Sequence, residues 1–100
     1  MHISVRFFGP LRVVIGRDEI TLTLSGDSAT VTQALASIVA EYPQARRYLQ
    51  DSAGGLPGPS GLPPGLRALR GDTRLDGATA PGAAVREGDR LTLLMPVIGG

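Results

Sequence analysis

The sequence predicts an α+β domain in which one helix covers one face of a mixed sheet of about four or five strands. Three observations support this prediction. Apolar residues alternate with period two near both ends of the chain, and a single stripe of helical period lies between these segments. The length of 100 residues is enough for one modest core. We therefore expect a single domain over residues 1–100.

The strands are predicted from the alternation of apolar and polar residues over 2–8, 19–25 and 90–97, with a shorter strand over 66–70. The first two strands should form a loose antiparallel hairpin, because Gly and Pro in residues 9–19 indicate a turn between them. The first and last strands are the most apolar, so we expect them side by side at the sheet centre. The inward-facing strand residues are predicted to be Ile3, Val5, Phe7, Ile20, Leu22, Leu24, Leu91, Leu93 and Met95.

The helix is predicted over Thr30 to Tyr42. Thr30 followed by Gln33 is typical of a capping box at a helix start, and Pro43 ends the regular helix. Residues 44–49 are consistent with one further helical turn. The stripe that should pack on the sheet consists of Val31, Ala34, Leu35, Ile38, Val39 and Tyr42.

Residues 51–65 hold five glycines and four prolines, which predicts a flexible surface loop. Gly55, Gly58 and Gly61 recur at every third residue, but three triplets are too few to form a collagen helix. The segment 71–77, which follows the short strand, is predicted to be a turn region.

Composition argues against several kinds of function. The net charge is +1 and the arginines are scattered, so no nucleic-acid partner is expected. The longest apolar stretches fall far short of the roughly 20 residues that span a bilayer, so we expect a cytoplasmic protein with no membrane partner. The chain has no cysteine, and all ten basic side chains are arginine. It therefore has no thiolate metal site and no lysine-containing P-loop, and we predict no bound cofactor or metal.

Two segments resemble a known family. "VRFFGPLRVVIGRDE" is similar to the FFAxLRxxxG opening of the small subunit of molybdopterin synthase (MoaD), and "EGDRLTLLMPVIGG" resembles the ending of that family. The ending is the more specific motif, because it combines Gly88-Asp89, Pro96-Val97 and Gly99-Gly100 at fixed spacing. The chain is thus identified as a member of the MoaD/ThiS-type ubiquitin-like sulfur carriers, which implies a β-grasp fold.

The resemblance implies that a flexible C-terminal tail is itself the reagent. Gly100 would be adenylated and converted to a thiocarboxylate, and Gly99, which lacks a Cβ, would keep the tail narrow enough to enter a partner. ATP would be used by a partner related to ubiquitin-activating enzymes, so this chain would be a carrier and not an enzyme. The sulfur acceptor would be an enzyme such as the molybdopterin-synthase large subunit.

Several functions are left open by the sequence. The sulfur could serve molybdopterin, cysteine, thiamine or another thio-metabolite. The same activated Gly100 could instead form isopeptide bonds with target lysines, as in a ubiquitin-like modifier. A third alternative is an interaction domain whose tail is inert.

Two apolar residues are predicted on the open face of the sheet. The alternation that buries Phe7 and Leu93 exposes Phe8 and Leu94, and these lie together if their strands are neighbours. We interpret them as a docking patch, the alternative being a patch covered by the loop 51–65. The predicted partner-binding residues are Phe8, Leu94, Pro96, Val97 and Ile98.

Overall fold

The computed structural model describes residues 1–50, 55, 61–63 and 65–95. The strands in this part of the chain are β1 (His2–Phe8), β2 (Glu19–Thr23), β3 (Ser28–Thr30), β4 (Arg67–Arg70), β5 (Thr73–Arg74), β6 (Ala84–Arg86) and β7 (Arg90–Leu94). The helices are α1 (Pro10–Ile15), α2 (Val31–Glu41) and α3 (Arg46–Leu49), with 3₁₀ turns at Pro43–Ala45 and Ala80–Gly82.

The main sheet has five strands in the order β2-β1-β7-β4-β5. The pair β1–β7 is parallel and the other pairs are antiparallel, so the sheet is mixed, as predicted. The first and last strands are neighbours, with β7 in the centre, which confirms their predicted pairing. A second, two-stranded sheet, which is not predicted from the sequence, pairs β3 with β6.

Helix α2 covers one face of the main sheet. Its predicted capping box is present: the amide N–H of Gln33 donates to Thr30 Oγ1 at 3.1 Å, and the amide N–H of Thr30 donates to Gln33 Oε1 at 2.8 Å. The helix ends at Glu41, with Tyr42 as its C-terminal cap and Pro43 immediately after it. Nine of the residues predicted to face the core are buried: Ile3, Val5, Phe7, Ile20, Leu22, Leu35, Ile38, Leu91 and Leu93. Four others that were predicted to face it are only partly buried: Leu24, Val39, Tyr42 and Met95.

The prediction of a turn over residues 9–19 is wrong in part, because Pro10–Ile15 forms α1. Proline suits the first helical position, since its missing N–H would have no helical partner there. Leu11 and Ile15 lie one helical turn apart and are both buried in the core. Burial of these two side chains stabilises a helix too short to persist alone.

The predicted strand 90–97 is shorter in the structure, because β7 ends at Leu94 and Met95 is outside the strand. The predicted tail residues Pro96, Val97, Ile98, Gly99 and Gly100 lie outside the described residues. Most of the predicted loop 51–65 also lies outside them. Its described part is anchored, since Gly61 is buried and the amide N–H of Leu62 donates to the carbonyl oxygen of Gly77 at 2.9 Å.

Candidate functional site

The sheet face opposite α2 carries an apolar patch. Phe8 and Leu94 are direct partners in the parallel β1–β7 register, so their side chains lie side by side on one face. Leu69 is diagonal to Leu94, because Leu94 pairs with Arg67 and Leu69 pairs with Thr92. We call Phe8, Leu69 and Leu94 the apolar patch.

The structure therefore brings Phe8 and Leu94 together on the open face, where the alternation placed them. Phe8 is 39% exposed. Among the described residues, Phe8 and Val13 are the large apolar side chains that are exposed. Leu69 and Leu94 are half-buried. The sequence analysis does not predict Leu69 on the open face. Its position next to the buried Ala68 in the predicted strand 66–70 indicates that face, because alternate residues of a strand point to opposite sides.

Four arginines lie on the same sheet face as the apolar patch. The guanidinium carbon of Arg6 lies 5.4 Å from the centroid of the Phe8 ring, within cation–π distance. Arg67 is the register partner of Leu94, and Arg74 is the register partner of Leu69. Arg90 lies on the same face of β7, paired with Ser4. We call Arg6, Arg67, Arg74 and Arg90 the arginine rim.

The chain leaves the sheet directly beside this patch, at Met95. The amide N–H of Met95 lies 3.5 Å from the carbonyl oxygen of Phe8, the outer limit of a hydrogen bond. Gly9 has φ 75° and ψ −149°, a backbone conformation that is essentially restricted to glycine. A Cβ built on Gly9 would overlap the carbonyl oxygen of Met95. Glycine at position 9 therefore lets the end of β7 pack against the β1–α1 connection.

The described residues hold few other candidates for a catalytic or metal-binding site. Residues 1–50, 55, 61–63 and 65–95 include no group of three or more His, Cys, Asp or Glu side chains able to hold a metal ion. His2 Nδ1 lies 3.8 Å from Glu87 Oε1, and both side chains are largely exposed, which fits a surface pair. No helix in these ranges is long and apolar enough to cross a membrane.

A protein-family scan and a search of curated proteins both find no match to this sequence. Solved structures do match. The crystal structure of SAMP1, small archaeal modifier protein 1, from Haloferax volcanii is 27% identical with a TM-score of 0.79, and the match covers 100% of both chains. The solution structure of the HVO 2177 protein from the same organism is 30% identical with a TM-score of 0.74. That match covers 100% of this chain and 87% of the other.

A third match is a complex of subunits 1 and 2 of the molybdopterin-converting factor from Helicobacter pylori. It is 24% identical with a TM-score of 0.53 over 100% of both chains, so it supports the fold alone. These matches agree with the five-stranded mixed sheet and the covering helix. The fold is a β-grasp, and the chain belongs to the MoaD/ThiS-type family of ubiquitin-like sulfur carriers.

Proposed function

We propose that this chain carries sulfur on its C-terminal glycine and delivers it to an acceptor enzyme, most directly in molybdopterin synthesis. One observation carries the proposal: the apolar patch adjoins Met95, from which residues 96–100 continue. A partner that binds this patch therefore binds next to the start of the tail. Five residues span at most about 17 Å when fully extended, so the partner's nucleotide would have to lie within that reach.

The chemistry proceeds in two balanced steps on the partner. A carboxylate oxygen of Gly100 attacks the α-phosphorus of ATP, and the bond to pyrophosphate breaks, which leaves an acyl-adenylate. A sulfide donor then attacks the acyl carbon, and the bond to AMP breaks, which leaves a thiocarboxylate on Gly100. The chain supplies the carboxylate and the docking surface, while ATP binding and catalysis belong to an adenylating enzyme related to ubiquitin-activating enzymes.

Molybdopterin is our first choice of pathway because both terminal motifs resemble the small subunit of molybdopterin synthase. The H. pylori complex, in which a subunit 1 of similar fold is bound to a subunit 2, supports an acceptor enzyme of that kind as partner. Sulfur transfer to cysteine, thiamine or another thio-metabolite is the alternative within the same chemistry.

The test is intact-mass spectrometry of the protein after incubation with ATP, sulfide and the adenylating enzyme of the source organism. We expect the mass increase that corresponds to exchange of one oxygen for one sulfur, located at Gly100 by fragmentation. Omission of ATP is the control and should leave the mass unchanged. An unchanged mass in the complete reaction, with an enzyme shown to be active on another carrier, would contradict the proposal.

A second function is favoured by the match to a protein described as a small archaeal modifier. In that case Gly100 would be conjugated to lysines of target proteins. Because the chain has no lysine, it cannot form lysine-linked chains on itself, whereas attachment of a single copy to a target lysine is permitted. Antibody detection of high-mass conjugates in cell extract, lost when Gly100 is deleted, would identify this function.

A further inference from the structure

The arginine rim is concentrated on one face of the molecule. Arg6, Arg67, Arg74 and Arg90 all project from the open side of the main sheet, around or beside the apolar patch. Arg67, Arg74 and Arg90 are exposed, and Arg6 is half-buried against the Phe8 ring. The scattered arginines of the sequence therefore become a local positive surface, although the net charge of the whole chain is only +1.

The arginines of the rim form no ion pair with a carboxylate that the structure describes. Glu19 is the register partner of Arg6, and Asp72 borders a shallow groove with Arg6 and Arg90, yet neither forms an ion pair with these arginines. Over residues 1–50, 55, 61–63 and 65–95 the ion pair found is that of His2 with Glu87. Asp89 is also engaged, because its Oδ2 accepts from the amide N–H of Arg86 at 2.8 Å.

Arg6 is diagonal to Arg90, and Arg67 is diagonal to Arg74. The like charges in each pair repel each other, and this repulsion costs little only while water screens the charges. A partner that docks on the apolar patch displaces part of that water. It must then supply carboxylates opposite the guanidinium groups, which favour paired contacts with carboxylates. The positive rim around an apolar centre therefore points to a complementary surface with an apolar centre and acidic surroundings.

We infer that the adenylating enzyme presents such an acidic surface, and that the arginine rim selects and steers it to the apolar patch. This inference rests on the proposed function and adds the chemistry of the partner. A nucleic acid would also attract arginines, but the central position here is held by apolar side chains instead of groups that contact phosphates. Nucleic-acid binding is therefore an outcome that the test must distinguish.

The experiment measures ATP–pyrophosphate exchange by the source organism's adenylating enzyme as a function of carrier concentration. The rim variant combines Arg67→Gln, Arg74→Gln and Arg90→Gln. Arg6 is kept because its side chain contacts the Phe8 ring. We expect KM for the rim variant to rise about 10- to 100-fold, since each exposed charge pair contributes roughly two- to fivefold in affinity. The value of kcat should be unchanged, because the tail is intact.

A matched control removes three exposed arginines from α1, the following loop and α3: Arg12→Gln, Arg17→Gln and Arg46→Gln. Both variants lose three positive charges, so a difference in KM between them shows that the position of the charge matters. The control should stay within about twofold of the wild type. Raising the salt concentration from about 0.05 M to about 0.5 M should reduce the difference in KM between the rim variant and the wild type, because the Debye length shortens.

The outcomes are separable. If the wild type supports no exchange with an enzyme active on another carrier, the proposed function fails and this inference fails with it. If the wild type supports exchange and the two triple variants have equal KM, or the salt has no effect, the inference alone is overturned. Tighter binding of single-stranded RNA than of the enzyme, lost in the rim variant, would also overturn it.

Discussion

At the residue scale, Gly9 allows the end of the last strand to pack against the β1–α1 connection. Its positive φ and its contact with the backbone of Met95 both require the absence of a side chain. Gly16 also has a positive φ, of 81°, but among the described atoms nothing lies within 4 Å of the position its Cβ would take. Both glycines therefore have a positive φ, but Gly9 also has a ψ of −149°, which is essentially restricted to glycine, and it alone of the two has a steric requirement.

Gly9→Ala should lower the free energy of unfolding more than Gly16→Ala. Gly16→Ala places alanine in the left-handed helical region, at a cost on the order of 1–2 kcal/mol. Gly9→Ala places it in a conformation essentially restricted to glycine, at a cost of about 1–3 kcal/mol. Gly9→Ala additionally forces Met95 away from the β1–α1 connection. Urea unfolding of both variants measures the difference. Equal destabilisation would show that the close approach to Met95 is unimportant.

Phe8 should contribute to partner binding without contributing to the chemistry of the tail. We expect Phe8→Ala to raise KM for the carrier in the exchange assay by about 5- to 30-fold, the equivalent of about 1–2 kcal/mol for a central aromatic contact. Val13→Ala is the control, because Val13 is 80% exposed on α1 and outside the apolar patch. A larger effect of Val13→Ala than of Phe8→Ala would place the docking surface elsewhere.

At the element scale, α2 is specified locally and stabilised by its tertiary contacts. The capping box satisfies amide groups at its start, and the amide N–H of Val31 donates to the carbonyl oxygen of Ala83 at 3.0 Å. The stripe of buried residues on α2 then packs against the main sheet: Val31, Ala34, Leu35 and Ile38. The start of the helix is therefore tied to the β3–β6 pair, and its inner face is tied to the core.

Leu35→Ala should cost roughly 2–5 kcal/mol in the free energy of unfolding, because Leu35 is fully buried and the substitution leaves a cavity. Val39→Ala on the same helix is the matched control and should cost less, since Val39 is only partly buried. Chemical denaturation monitored by circular dichroism gives both values. A Leu35→Ala variant as stable as the wild type would contradict the packing of α2 on the sheet.

At the scale of the whole molecule, the parallel pairing of β1 with β7 joins the two ends of the sequence. It places Phe8 beside Leu94 and the β1–α1 connection beside Met95. Phe8 and Leu94 of the apolar patch thus lie on this central pair of strands, and Met95 follows directly after β7. We expect the tail to be positioned by docking and the chemistry to depend on where its carboxylate lies.

Addition of one alanine after Gly100 should abolish adenylation, because the carboxylate is moved from its reactive position. The thermal unfolding midpoint should not change, since no core contact is altered. The extended protein should also act as a competitive inhibitor of the wild-type carrier, because its apolar patch is unchanged. Normal sulfur delivery by the extended protein, with no protease present to trim it, would show that the tail is not the reagent.

Patterns within single segments of the sequence predict most of the fold. Alternation located β1, β2, β4 and β7 because one face of each strand is buried and the other is open. The start of α2 was predicted to the residue because a capping box is a contact between residues three apart. Helix α1 was missed, since its six residues depend on the burial of Leu11 and Ile15 and not on local propensity.

The faces of the longer strands, helix α2 and the resemblance to the family follow from patterns in the sequence. The composition of the surface around Phe8 and Leu94 follows from the tertiary structure instead. Leu69 joins the apolar patch, and distant arginines form one rim, because neighbouring strands place residues far apart in sequence on the same face. The pair β3–β6 likewise joins segments of three residues that are too short to show a period. Cross-strand register depends on contacts between distant segments, so a pattern within one segment does not specify it.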